Sequence, residues 1–183
     1  MRLHRETTVL VVIDVQDGLM PAMERRQEVE TNIDRLIRGC HILGVPTIVT
    51  EQYRKGLGST VEPIRRALEE TGGYHPIEKS CFSAFGCAGF EKELKKLARN
   101  QVIVAGVEAH VCVYQTVVDL LREEYEVTII GDAVSSRTAQ NRAIALERMT
   151  NERARLSSTE MALFELLVRA ASDEFRAISK LVK

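Results

Sequence analysis

Three residues have types and positions that allow nucleophilic chemistry: Cys112, Asp14 and Lys79. Cys112 follows the apolar β-branched run Val102–Ile103–Val104 and Gly106, and precedes Val113, Val117, Leu120 and Leu121, which recur at helical spacing. It therefore sits at a strand-to-helix junction, where unpaired backbone N–H groups and the positive end of the helix dipole converge. A thiol placed so is expected to have a lowered pKa and raised reactivity. The alternative is a small apolar residue packed at a helix start, since free cysteine is among the most buried residue types. Asp14 ends the apolar run VLVVID, and Lys79 lies in PIEKSCFSAF. Alone, the aspartate reads equally as a cap on the next turn and the lysine as a solvated charge. Together they supply a nucleophile, a base to take the thiol proton, and a cation that keeps the carboxylate ionised.

Those residues need a scaffold that brings strand ends together, and the pattern supplies one. Val9–Ile13 is a continuous apolar run, as in a strand covered on both faces. Val29, Ile33, Leu36, Ile37, Cys40 and Leu43 mark one face of a helix that stops at Gly44. Residues 45–50, 102–105 and 127–130 read as further strands, with a short edge strand near Leu156. Between and after them, helices are expected around Ile64 and Leu68, around Phe90, Leu94 and Leu97, over 138–149, around Met161–Val168, and over 174–181. Ser59–Glu62 and Ser157–Glu160 have the spacing of capping boxes. Alternating strands and helices mean right-handed βαβ units. The expected fold is α/β: a Rossmann-like three-layer sandwich with a mostly parallel sheet, formed as a single domain over 1–183. In such folds the site lies beyond the carboxyl ends of the strands, where all three residues fall.

Three blocks of the sequence resemble the isochorismatase-like cysteine hydrolases, in particular the isochorismatase-domain-containing branch. They are Asp14-Val15-Gln16 after the first strand, Lys79 followed by Phe82-Ser83-Ala84-Phe85, and Gly106-Val107 followed by Cys112-Val113 with Thr116 and Asp119. The segments TEQYRKGLGST, VEAHVCV and SSTEMALFELL add to the likeness. The resemblance implies a sheet of about six strands and an Asp–Lys–Cys triad, here Asp14, Lys79 and Cys112. It implies an oxyanion hole made by the backbone amides of Glu108 and Cys112, with a non-proline cis peptide at Val107–Glu108. It also implies a cysteine hydrolase of small amide-like C–N substrates acting through a covalent thioester. Substrate-lining residues are expected at Gln52, Tyr53, Phe85 and His110. Nicotinamidase-type members carry an Asp-x-His-x-x-His metal motif after the second strand. This chain has Glu51-Gln52-Tyr53 there, so no metal and no cofactor are expected.

Composition narrows the partners. The chain has 183 residues, 45% hydrophobic and 28% charged, with a formal net charge of −1 and no tryptophan. That balance gives no electrostatic pull toward nucleic acid or an anionic membrane. The expected partners are a small-molecule substrate and further copies of the chain in a homo-oligomer. Four cysteines without CxxC spacing, and no signal-peptide pattern, point to a cytoplasmic protein with reduced thiols. Cys81, beside apolar neighbours, is expected to pack. Two other classes stay open: a non-catalytic assembly protein on the same fold, and a thiol-redox protein pairing Cys112 with Cys81 or Cys87.

Overall fold

The computed structural model describes residues 2–183. Its centre is β1 (Thr8–Ile13), every residue of which is buried. Side chains alternate across a strand, so the run serves two cores. Leu10 and Val12 join Ile33, Leu36, Ile37, Ile64 and Leu163 on one face. Val9, Val11 and Ile13 join Phe90, Leu94, Val113, Val117 and Leu120 on the other. A strand with no polar alternation is thus one that helices cover from both sides.

Around it the chain adds α1 (Arg26–Ile42), β2 (Thr47–Gln52), α2 (Arg54–Leu57), α3 (Glu62–Glu70), β3 (Ile77–Lys79), α4 (Ala88–Lys96) and β4 (Gln101–Val107). A π-helical turn over Ala109–Val113 leads into α5 (Tyr114–Arg122). There follow β5 (Glu126–Ser135), α6 (Ala139–Asn151), β6 (Arg155–Ser157), α7 (Thr159–Leu167) and α8 (Asp173–Val182). The six strands form one parallel sheet in the order β3-β2-β1-β4-β5-β6. The α/β architecture matches the expectation, and the order reverses direction between β1 and β4. That reversal opens a crevice at the carboxyl edge, where Asp14 and the turn carrying Cys112 leave adjacent strands. No helix among the described residues is long and apolar enough to cross a membrane.

Several elements differ from the sequence pattern. No strand is expected in the short segment that carries Lys79, yet Ile77–Lys79 pairs in parallel with Thr50–Gln52, bringing Lys79 level with Gln52. Three residues are too few to show a period. The capping box at Ser59 does not form. Val61 is the N-cap residue of α3, Pro63 sits in its first turn, and the Ser59 carbonyl accepts from the Asp17 amide instead. The box at Ser157 shifts by one: Ser158 Oγ accepts from the Met161 amide and caps α7. Cys112 lies in the π turn rather than the first α-helical turn.

Candidate functional site

Asp14 leaves β1 with a positive φ of 52°, a conformation that aspartate tolerates better than most residues. The bend turns its carboxylate along the carboxyl edge toward β2 and β3. Thr50 Oγ1 donates to Oδ1 at 2.7 Å and Lys79 Nζ donates to Oδ2 at 2.7 Å. Both side chains of the Asp14–Lys79 ion pair are fully buried. The ammonium also donates to Gln52 Oε1 at 2.7 Å and to the Cys81 and Phe82 carbonyls at 3.2 and 3.0 Å. A buried lysine is tolerated only where its charge is paired and its donors are used, and both conditions hold.

Gln16, two residues beyond Asp14, fastens the β1 end to its neighbours. Its Oε1 accepts from the Gln52 amide at 2.7 Å, and its Nε2 donates to the Gln52 and Gly58 carbonyls at 3.0 and 2.7 Å. Thr116, one helical turn past Cys112, donates to the Cys112 carbonyl at 2.7 Å and accepts from the Ala84 amide at 2.9 Å. It ties the loop after Lys79 to the turn that presents the thiol. Thr50 escaped sequence reasoning because a threonine within a strand carries no chemical signal. Thr116 was visible only as part of a motif.

Cys112 is buried against the same pair, and its thiol is pushed up to about 12. Burial is the main cause and the Asp14 carboxylate adds to it, while the Lys79 ammonium pulls the other way. This corrects the expected lowered pKa. At neutral pH the group is therefore a thiol lying beside the Asp14 carboxylate. Cys40, on the apolar stripe of α1, is likewise raised to about 12 by burial alone, with no charged partner. Cys81 is also corrected: it is exposed, not packed.

The turn before Cys112 begins at the Val107–Glu108 cis peptide. The Glu108 carbonyl accepts from the amides of Val111 and Val113 at 3.0 and 3.2 Å, closing the wide π turn. His110 Nδ1 lies 3.0 Å from Ser136 Oγ, so its ring is tied to the loop after β5. Gln52 is chiefly a lysine holder, with Nε2 donating to the Ser80 carbonyl at 2.9 Å. Tyr53 is 57% exposed beside Lys79, whose carbonyl accepts from the Tyr53 amide at 2.9 Å. The ring of Phe85, an expected lining residue, packs edge-on against Phe90 and Tyr125. Phe82, 54% exposed and linked through its carbonyl to Lys79, faces solvent, as does Tyr53.

Glu51 does not point to these groups. It is buried and accepts at Oε1 from the Thr60 amide and hydroxyl, both at 2.8 Å, and from the Tyr74 hydroxyl at 3.0 Å. Among the described residues, no group of three or more His, Cys, Asp or Glu side chains converges to hold a metal. A cavity of about 550 Å³ opens at the opposite, amino edge of the sheet, lined by His41, His75 and Glu93 among others, and takes no part in this cluster.

Residues 8–161 match the family model of the isochorismatase domain. The secreted isochorismatase effector of Phytophthora sojae is 38% identical over 184 aligned residues, covering 100% of this chain and 87% of the relative. Isochorismatase domain-containing protein 2 of Danio rerio is 37% identical over 182 residues, covering 99% and 89%. Among solved structures, the MAR1 ribonuclease of Caenorhabditis elegans superposes with a TM-score of 0.91 at 37% identity, covering 100% of this chain and 92% of that one.

Proposed function

This chain belongs to the isochorismatase family, and from that premise we propose that it is a metal-free cysteine hydrolase of small amide-like substrates. The observation that carries the reading is the fully buried Lys79–Asp14 pair at 2.7 Å with the Cys112 thiol set against it. Asp14 takes the Cys112 proton as sulfur attacks the scissile carbonyl carbon. The amides of Glu108 and Cys112 stabilise the resulting oxyanion. Asp14 then protonates the departing nitrogen, the C–N bond breaks, and a thioester remains. Water, activated by the same carboxylate, attacks the thioester, releasing the acid and restoring the thiol. Lys79, donating to Asp14 Oδ2 at 2.7 Å, holds the carboxylate in position between these proton transfers.

The test is a hydrolysis screen over small amides and ureides, with Cys112→Ala as control. The expected result is ammonia or amine release that falls to background in the variant. Release that survives Cys112→Ala overturns the reading. Because the thiol is raised from 9.0 to about 12, kcat/KM should stay level as pH rises through the ordinary cysteine range near 9. A rise there would show that the thiol ionises near its ordinary value and that the free thiolate is the attacking species. The name of the Caenorhabditis elegans relative makes RNA the rival substrate, so single-stranded RNA belongs in the screen. Cleavage of RNA that is indifferent to Cys112 would favour the rival.

Metal removal gives a second check. Three ligands and an open position are the usual minimum for a hydrolytic zinc site. Glu51, near the end of β2, has Oε1 engaged by Thr60 and Tyr74 and Oε2 facing the Arg54 guanidinium at 3.3 Å. Dialysis against EDTA is therefore expected to leave activity intact, and elemental analysis should find far less than one zinc or iron per chain. A stoichiometric metal whose removal stops turnover would overturn the metal-free mechanism. Four free thiols suit a reducing cytoplasm. Cell fractionation tests that placement against the secreted relative.

A further inference from the structure

The side chain of Glu108 has no part in the mechanism above, which uses only its amide. It is nevertheless 12% exposed and held by two donors of one residue. Arg137 Nε donates to Glu108 Oε2 at 3.0 Å, and the Arg137 amide donates to the same oxygen at 3.2 Å. Two residues on, His110 meets Ser136 at 3.0 Å. The π turn that presents both oxyanion amides is thus tied at two points, Ser136 and Arg137, to the loop that follows β5. That loop is itself anchored: the Glu24 amide donates to the Ser136 carbonyl at 3.0 Å, and Ser135 Oγ donates to the Glu24 carbonyl at 2.6 Å.

Geometry and charge give the tie a purpose. Within the turn the Glu108 carbonyl accepts from the Val111 and Val113 amides and the Ala109 carbonyl from the Tyr114 amide, and none of these bonds holds the Glu108 side chain, which is fixed from outside the turn. A carboxylate so close to a developing oxyanion would also repel it unless a cation cancelled its charge. Arg137 does both. It points Glu108 away toward the loop after β5, and it neutralises the carboxylate.

We propose that Arg137 is a positioning residue for the oxyanion hole, acting through the Glu108 side chain without touching substrate. The proposal rests on the reading of Cys112 as nucleophile. Removing an oxyanion donor outright typically costs about 10²–10³ in kcat, and loosening one should cost less. Arg137→Ala is therefore expected to lower kcat about tenfold on the best amide from the screen, with KM within twofold. Arg137→Lys should recover part of the loss through its charge. Glu108→Gln, which keeps an acceptor and removes the charge, should be milder than Arg137→Ala. Arg137 is 61% exposed, so its loss leaves the core packing in place.

Two thiol probes separate this claim from the one beneath it. Acetaldehyde adds reversibly to Cys112: the S–C bond forms, the thiol proton passes to the carbonyl oxygen, and no electrons are exchanged with another reagent. Its oxygen occupies the oxyanion hole. Iodoacetamide alkylates the same sulfur by displacing iodide and makes no oxyanion. Arg137→Ala should weaken the aldehyde adduct about tenfold while leaving the Cys112 alkylation rate within twofold, each read by intact mass in a Cys81→Ser background. Equal aldehyde affinity overturns the positioning role. So does a parallel fall in both reactions, which would mean a merely structural residue, or a KM rise with kcat unchanged, which would make Arg137 a substrate contact. A wild-type Cys112 that forms neither adduct overturns the nucleophile reading and the positioning claim with it.

Discussion

Lys79→Met is expected to cost the folded protein about 3–5 kcal/mol and to reduce amide hydrolysis to background. The stability loss follows from burial. Asp14 is fully enclosed, and its Oδ2 would lose the ammonium at 2.7 Å with no water to replace it. Three further acceptors, Gln52 Oε1 and the carbonyls of Cys81 and Phe82, would lose the same donor. The activity loss has a separate origin: without the ammonium that donates to its Oδ2, the Asp14 carboxylate is no longer held in place against the Cys112 thiol. The double variant Lys79→Met with Asp14→Asn keeps the two effects apart. Removing the unpaired charge should restore much of the stability, as read by urea denaturation, and none of the activity. Full activity in the single variant, or stability unchanged, would mean that the pair is neither a structural nor a catalytic element.

That pair also shows how far a sequence carries such an argument. Asp14 was legible because it directly follows a run of buried β-branched residues, and Cys112 because it lies between such a run and an amphipathic helix; a strand covered on both faces is written plainly in its composition. Lys79 was legible only as a member of a motif. Its strand is three residues long, and the register that places it beside Gln52 is a tertiary fact. The thiol pKa went the wrong way for the same reason. A helix start lowers it in isolation, but the depth of the π turn and the nearness of Asp14 raise it, and both depend on residues far away in the chain. Spacing within Phe82-Ser83-Ala84-Phe85 could not say which ring faces solvent. Packing decides that, with Phe90 and Tyr125 claiming Phe85. Arg137 was out of reach altogether, because a surface arginine after a strand carries no pattern until the loop it sits on meets Glu108.

Gly106→Ala is expected to be the most damaging single-methyl change at the site, costing about 3–5 kcal/mol or preventing folding. Gly106 lies on β4 directly opposite Ile13, with a φ of +119° that residues bearing a Cβ rarely adopt. A methyl there would stand 2.1 Å from the Ile13 carbonyl oxygen and 2.6 Å from its amide nitrogen. Those are backbone atoms of the central strand, so no rotamer change relieves the clash and β1 and β4 must part at their last rung. The next residue along β1 is Asp14, and two residues along the other strand is Glu108. Separating the strands therefore pulls Asp14, the proposed base, away from the Glu108 amide of the proposed oxyanion hole, and activity should fall even in whatever fraction folds. Gly44→Ala supplies the control. Gly44 also has a positive φ, +69°, but nothing lies within 4 Å of the added carbon. It should cost only about 1 kcal/mol, the penalty for the backbone conformation alone, with turnover unchanged. Thermal melts and kcat on the same preparations read both effects. If the two alanines destabilise equally, the close approach of β1 and β4 at Gly106 is not what holds the catalytic edge together.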